Sequence, residues 1–189
     1  MFMATEWSQE ARSTIPGIAL GGRTIFPSVL IHFDVAREVS AKALEEAMAT
    51  GSPVFLVGQK DISVEMPGEK DLYTVGTVST VRQILRMPGG NIRVMVEGVS
   101  RGKVLQVTQK EPFLVAQVEL IPEVKTNRTS AKTEALLRSV YEVFQGYTEL
   151  ASNVSPDLLV NVLASRDPGY LADYIAQNTP MRNSDKQTS

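Results

Sequence analysis

Strand-like spacing of the apolar residues dominates the first part of the chain and helical spacing the second, and this division limits the folds available to it. Residues 15–122 contain runs in which apolar and polar residues alternate, as they do in half-buried strands. In residues 129–178, every periodic segment repeats its apolar residues at helical spacing. Because the two patterns are segregated, we predict an α+β protein, and the short, interrupted strands favour a small, incompletely closed barrel.

The same pattern sets the predicted bounds of each part. The first residues are polar and have no period, which is typical of a mobile tail. After the last helical pattern, Pro180 breaks the helix and a short polar segment follows. The predicted organisation is a flexible tail (1–14), a β-barrel subdomain (15–122), a linker (123–128), a helical subdomain (129–178) and a terminal segment (179–189).

The first half of the β-rich part combines two strands with one helix. In "SVLIHFDV" alternate residues from Val29 to Val35 share one face, which turns His32 outward, and "PVFLVGQ" is typical of a central strand. Between them, the sequence predicts a helix with Ser40 as its N-cap and Gly51 just after its end. The predicted inner stripe of this helix is Leu44, Ala47 and Met48.

The stretch "RMPGGNIRVMVEGVSRGKV" carries turn-forming residues around two β-branched runs. Pro88 and Gly89 suit the central positions of a type II turn, because proline presets φ and glycine accepts the positive φ that follows. They predict the tip of a hairpin. Gly98 and Gly102 mark places where the second strand can bend, and Gly76 predicts a bulge in the first.

The second part of the chain predicts three helices. The first has an apolar stripe from Leu137 to Tyr147, which we interpret as packing and not as a ligand site. The other two begin at Ser155-Pro156 and Asp167-Pro168, because an N-cap residue followed by proline is a helix start signal.

Composition and motifs exclude most catalytic chemistry. The 189 residues include no cysteine, so thiol nucleophiles, disulfides and thiolate metal sites are excluded, and His32 is the only imidazole. The spacing of a phosphate-binding loop is absent, and the carboxylates of Glu45, Glu46 and Glu65 have no recognisable partner arrangement. We predict no catalytic, cofactor-binding or metal-binding residue. Without a signal peptide or an apolar run of membrane-spanning length, we expect a soluble, cytoplasmic protein with no membrane contact.

A local basic strip raises the alternative of nucleic-acid binding. The net charge of −2 gives no general attraction to phosphates, but four basic residues cluster around a single acid, Glu97. The strip lacks the exposed aromatic residues on which single-stranded bases stack, so we favour an ordinary solvated face over a nucleic-acid partner. Its basic residues are Arg86, Arg93, Arg101 and Lys103.

Taken together, the motifs resemble a known family. "DLYTVGTVSTVRQILRMPGGNIRVMVEGVSRGKV", followed by "FQGY", "DPGYLADYIA" and "DKQ", resembles the amino-terminal domain of Lon, the ATP-dependent protease. The similarity runs in one register over about residues 15–187. The chain departs from the family pattern at Ala19-Leu20-Gly21-Gly22, where the family usually carries Pro-Leu-Arg.

The resemblance implies both a fold and a function. It implies a PUA-like β pseudo-barrel followed by a helical subdomain, which engages unfolded or damaged protein substrates and aids assembly of a hexamer. The ATPase, with its ATP and Mg, and the Ser–Lys peptidase would lie in domains beyond this chain, which would itself be non-catalytic. The alternative is a freestanding PUA-like domain that binds nucleic acid.

Five residues are predicted to contact substrates. The polar start of the first helix offers Arg37, Glu38 and Lys42, and the loops offer Met66 and Met87, whose flexible thioethers suit varied partners. For the chain by itself we expect a monomer or a weak dimer. The terminal segment resembles the start of a long connecting helix, and since one turn is not stable alone, we expect Asn183 to Ser189 to be disordered or held only by neighbouring molecules.

Overall fold

The computed structural model describes residues 11–124, 130–151 and 154–188. They form two compact units, a barrel unit that ends at Pro122 and takes up the residues from Arg182 onward, and a helical unit, Glu123–Met181. The barrel unit contains the strands β1 (Arg12–Gly21), β2 (Leu30–Val35), β3 (Val54–Gln59), β4 (Val75–Arg86), β5 (Ile92–Gln109) and β6 (Leu114–Leu120), and the helices α1 (Glu38–Thr50) and α5 (Asn183–Lys186). The helical unit contains α2 (Ala131–Leu150), α3 (Pro156–Ala164) and α4 (Pro168–Asn178).

Five of the six strands form a closed ring. The hydrogen-bonded order is β5-β4-β3-β1-β6, and β6 pairs back with the second half of β5. All these pairs are antiparallel except β1 with β3, which is parallel. The remaining strand, β2, pairs with the first half of β5. The predicted α+β class is confirmed.

Two apolar clusters fill the barrel unit because the buried faces of the strands meet inside it. One cluster joins α1 to the sheet through Ala43, Leu44 and Ala47, and the other surrounds Phe55. The alternation predicted for β2 is confirmed, since Phe33 and Val35 are buried and His32 is exposed. β3 is buried along its whole length, as expected of a central strand.

The first helix begins earlier than predicted. Its N-cap is Arg37, whose backbone is extended and whose carbonyl accepts a hydrogen bond from the Ala41 N–H at 3.0 Å, whereas Ser40 is a buried residue inside the helix. The prediction of Met48 in the inner stripe is also wrong. The buried stripe follows the spacing 40-43-44-47, which leaves Met48 49% exposed. The predicted end is confirmed, because Gly51 has a left-handed φ of 66°.

Two glycines of the β4–β5 hairpin have different roles. Gly89 has a φ of 92°, and the Gly90 N–H donates to the Met87 carbonyl at 3.2 Å, which confirms the predicted turn. The bulge predicted at Gly76 is wrong, because the register shifts of β4 fall further along the strand. A Cβ at Gly76 would lie 2.5 Å from the Leu56 carbonyl oxygen, so glycine is required there for close approach of two backbones.

Both ends of the barrel unit are more ordered than predicted. β1 begins at Arg12, inside the predicted tail, because residues 12–17 pair with β6, while residues 1–10 lie outside the described part. The disorder predicted for the terminal segment is wrong for residues 183–188. The Thr24 hydroxyl donates to Asn183 Oδ1 at 2.5 Å and accepts from Gln187 Nε2 at 3.0 Å, and these bonds hold the single turn of α5.

The helical unit follows its local signals. Ser155 and Asp167 accept hydrogen bonds from the first backbone N–H groups of α3 and α4, which confirms both predicted starts. The stripe from Leu137 to Tyr147 packs on α3 and α4, as predicted. The predicted linker falls mostly on residues 125–129, outside the described part of the chain.

Candidate binding surface

The start of α1 is fixed by a buried glutamine. Gln59, at the end of β3, is 1% exposed, and its Oε1 accepts a hydrogen bond from the Arg37 guanidinium at 2.8 Å. A buried amide without partners would be costly, so this bond restricts Arg37 to one place. Arg37 is therefore both a half-exposed side chain and part of the barrel's internal hydrogen bonding.

The same glutamine also holds the loop that follows β3. Its Nε2 donates to the carbonyls of Asp61 and Val64, each at 2.6 Å. Inside the loop, the Asp61 carboxylate accepts from the N–H and hydroxyl of Ser63, and these hydrogen bonds lower the pKa of Asp61. The three bonds of Gln59 thus fix residues 60–66 relative to the start of α1.

Two apolar side chains project from this fixed loop. Ile62 is 67% exposed and Met66 is 46% exposed. Met66 and Arg37 line one small hollow of about 30 Å³, together with Lys110. That volume holds a water molecule or two and is far below the size of a small-molecule pocket, so the surface suits contact with a macromolecule.

An exposed ion pair completes this surface. Glu38 and Lys42 lie one turn apart on α1, with Lys42 Nζ 2.7 Å from Glu38 Oε1. Their hydrogen bond lowers the pKa of Glu38 and raises the pKa of Lys42. The structure therefore brings four of the five predicted residues together around the start of α1, here called the α1 surface: Arg37, Glu38, Lys42 and Met66.

The fifth predicted residue lies on a different loop. Met87 is 37% exposed at the tip of the β4–β5 hairpin. Its neighbour Arg86 pairs with Glu45 of α1 at 2.5 Å, so the hairpin is tied to the second half of the helix. Met87 therefore lies next to a residue that contacts the second half of α1, and not within the α1 surface.

Two of the four basic residues of the strip are paired with carboxylates, and a third lies over an aromatic ring. Arg93 makes a two-bond pair with Asp34, at 2.7 and 3.1 Å, and Arg86 pairs with Glu45. The guanidinium of Arg101 lies over the Phe26 ring, 5.9 Å from its centre. These contacts favour the solvated-face interpretation over phosphate binding.

The described residues offer little else for chemistry. Within residues 11–124, 130–151 and 154–188, no cluster of three or more His, Asp or Glu side chains could hold a metal ion. In the same part of the chain, no helix is long and apolar enough to cross a membrane. His32 is an exposed residue of β2, as predicted.

Sequence reasoning missed two residues that shape the α1 surface, the buried Gln59 beneath it and the exposed Ile62 of the neighbouring loop. Gln59 could have been suspected, because it is a polar residue that ends a continuous apolar run, and such residues usually bond within the fold. Ile62 carries no such signal, since an isolated apolar residue in a polar loop is common.

Comparison with known proteins assigns a family. The model of the family described as "ATP-dependent protease La (LON) substrate-binding domain" matches residues 14–188. Lon protease of Brevibacillus choshinensis is 37% identical over 179 residues, covering 95% of this chain and 23% of that protein. Lon protease of Clostridioides difficile is 39% identical over 176 residues, covering 92% and 22%. The chain thus spans less than a quarter of the length of these relatives.

Solved structures share the fold. The N-terminal domain of Mycobacterium avium complex Lon protease superposes with a TM-score of 0.68 at 17% identity, covering 93% of this chain and 88% of that one. A Lon N-terminal domain protein from Xanthomonas campestris gives a TM-score of 0.65 at 14% identity, with the same coverage. At these identities the likeness concerns the fold alone.

Proposed function

Because this chain belongs to the Lon substrate-binding domain family, we propose that it engages unfolded or damaged proteins on behalf of an ATP-dependent Lon-type protease. The observation that carries the proposal is the α1 surface, where a rigid loop presents Ile62 and Met66 beside Arg37 and the Glu38–Lys42 pair. Apolar side chains held on a fixed backbone bind without a further loss of loop entropy.

The chemistry of this surface suits segments that a folded protein hides. Ile62 and Met66 offer contact area to apolar side chains, and methionine adapts its shape to different partners. The neighbouring Arg37, Glu38 and Lys42 offer charges of both signs, so they can pair with charged residues of either sign in the partner. Because the hollow beside Met66 is too small to select one side chain, each contact is weak, and Met87 on the hairpin extends the surface for longer segments.

The remaining tasks of such a protease are assigned to other domains. In this proposal ATP and Mg bind to an ATPase domain, and a Ser–Lys dyad cleaves the peptide in a third domain, both in cis. The present chain is the non-catalytic module and aids hexamer assembly in the cytoplasm.

By itself, the chain is a monomer or a weak dimer in this proposal. Light scattering at micromolar concentration tests this oligomeric state, and a stable hexamer would contradict it.

The test of substrate engagement compares an unfolded protein with its folded form. Fluorescence anisotropy measures binding of reduced, carboxymethylated α-lactalbumin and of native α-lactalbumin. We expect binding of the unfolded form only. The double variant Ile62→Ser, Met66→Ser should weaken it about tenfold, which corresponds to roughly 1.4 kcal/mol.

The matched control is Leu136→Ser, Val143→Ser, which removes two apolar residues of α2 that are at least as exposed as Met66. It should leave binding unchanged. Equal losses from both double variants would show non-specific apolar binding, and equal binding of folded and unfolded α-lactalbumin would reject the proposed function.

A further inference from the structure

Two strands of the barrel unit border a common hollow without pairing with each other. β1 and β2 are consecutive and antiparallel, since β2 follows the direction of β4 while β1 follows that of β3. Residues 18–21 of β1 pair with β3, but the pairing of β1 with β6 ends at Gly17. Among the strands that the structure describes, β2 pairs with β5 alone. One edge of β2 and the second edge of β1 over residues 18–21 are therefore unpaired.

The two unpaired edges face a common hollow. It has a volume of about 310 Å³ and is lined by residues 18–21 of β1, by residues 33–35 at the end of β2, and by Ala36 and Ser40 around the start of α1. An unpaired strand edge presents a row of backbone N–H and C=O groups that another chain can use as a template. The hollow is at the lower end of the size range of ligand sites, which suits a short piece of backbone.

The charges around this hollow are unbalanced. Arg23 and Arg37 line it, and Asp34 is the acid between them. The Asp34 carboxylate is already engaged by both hydrogen bonds from Arg93. The side chain that this hollow favours is consequently acidic.

We propose that an extended polypeptide segment carrying an acidic residue adds as a strand to the free edge of β2, in the gap between β2 and β1. This inference rests on the proposed function and deepens it, because it states how a substrate backbone is held. Strand addition recognises backbone groups that every polypeptide shares. It accounts for selection of unfolded proteins, because folded proteins have these groups already paired.

The gap is continuous with the α1 surface. A Cβ at Gly21, which lines the gap, would lie 3.2 Å from the Ile62 side chain of the fixed loop. Arg37 lines both the gap and the small hollow beside Met66. A segment paired along β2 would therefore reach the exposed apolar residues of the loop with its side chains.

The experiment uses a twelve-residue peptide of alternating valine and threonine with a central glutamate, and the same peptide N-methylated at every residue. Methylation at every residue removes the backbone donors of both edges and keeps the side chains. We expect the plain peptide to bind at least tenfold more tightly. Hydrogen exchange of amides in residues 30–35 should slow at least tenfold with the plain peptide only.

Variants at the gap test its charge preference. Arg23 is exposed, so Arg23→Glu should keep the fold and weaken binding of the glutamate peptide severalfold, with Arg23→Lys restoring most of it. The control is Arg138→Glu on the exposed face of α2, which should have no effect.

Each contrary outcome has a distinct meaning. Equal binding of the two peptides, or slowed exchange in α2 but not in β2, overturns strand addition and leaves the proposed function intact. Strand addition by a substrate is also overturned if, without peptide, amide exchange in β2 becomes slower as the protein concentration is raised. A second copy of the chain would then occupy the edge. If unfolded α-lactalbumin also fails to bind, the proposed function itself fails.

Discussion

The barrel unit and the helical unit are stabilised in different ways. In the barrel unit, large residues such as Phe55, Val78 and Val118 are almost completely buried by strands that are distant in sequence. The helical unit has a buried cluster of five residues surrounded by half-buried ones. On its longest helix, Leu136, Val143 and Leu150 are exposed at seven-residue spacing. Deep burial is therefore extensive in the barrel unit, where long-range pairing of strands encloses the core, and is limited to a few residues such as Val162 in the helical unit.

The starts of the helices show the same difference. α2, α3 and α4 each begin with a side chain that accepts a backbone hydrogen bond. α1 has no such side-chain cap, and its start is fixed by Arg37 bonding to Gln59 of a neighbouring strand. Local signals build the helical unit, whereas tertiary contacts set the elements of the barrel unit.

The largest difference should appear when one phenylalanine is removed from each unit. Phe55→Ala should destabilise the barrel unit by about 5 kcal/mol, because the closed ring cannot collapse around the cavity. Phe144→Ala should cost the helical unit about 3 kcal/mol, since its helices can shift. Both losses in the free energy of unfolding are measured by chemical denaturation, with amide exchange reporting on each unit separately. Equal losses, or a larger loss for Phe144→Ala, would show that the closed ring adjusts to a cavity as readily as the helices do.

The next largest effect concerns the glutamine that holds the α1 surface. Gln59→Leu leaves Arg37 and the carbonyls of Asp61 and Val64 without their partner, which should cost roughly 1–3 kcal/mol. Amide exchange in residues 60–66 should accelerate, and binding of unfolded α-lactalbumin should weaken. Gln106→Leu, on an exposed position of β5, is the control and should change neither. Unchanged exchange in the loop would show that Gln59 does not fix it.

These comparisons indicate which features the sequence could predict. The hairpin turn at Pro88-Gly89 and the caps at Ser155 and Asp167 were predictable because neighbouring residues determine them. The family resemblance, carried by motifs along most of the chain, is confirmed by the family match over residues 14–188.

Features set by distant residues could not be predicted. The exposure of Met48 depends on which face of α1 meets the sheet, and the docking of α5 depends on Thr24, more than 150 residues away. The closure of the ring through β5 and β6 is likewise non-local. For the α1 surface, the exposure of Met66 was predictable. The contribution of Gln59 and Ile62 depends on the position of the loop in the structure and was not predictable.

A smaller effect is expected from the local caps of the helical unit. Asp167 accepts from the N–H groups of Gly169 at 3.0 Å and Tyr170 at 3.3 Å, so Asp167→Ala should destabilise this unit by about 1 kcal/mol. Asp167→Ser should recover most of the loss. Circular dichroism during thermal unfolding provides the measurement. If Asp167→Ala and Asp167→Ser were equally destabilising, the carboxylate would have a role other than capping.

The smallest effect concerns the exposed ion pair between Asp34 and Arg93. The hydrogen bond from Arg93 holds the pKa of Asp34 below its ordinary value of 3.8. Because the folded-state pKa is lowered, the pair stabilises the barrel unit above the ordinary pKa, and this contribution is lost as the pH falls through the folded-state pKa. Carboxyl NMR titration should show the lowered pKa directly, with a smaller shift at 1 M salt, since salt screens exposed charges. In Asp34→Asn the acid dependence of unfolding should be slightly shallower than in the unchanged chain. An ordinary pKa for Asp34 would mean that the pair does not persist in solution, and the free edge of β2 would then carry an acidic side chain not held by Arg93.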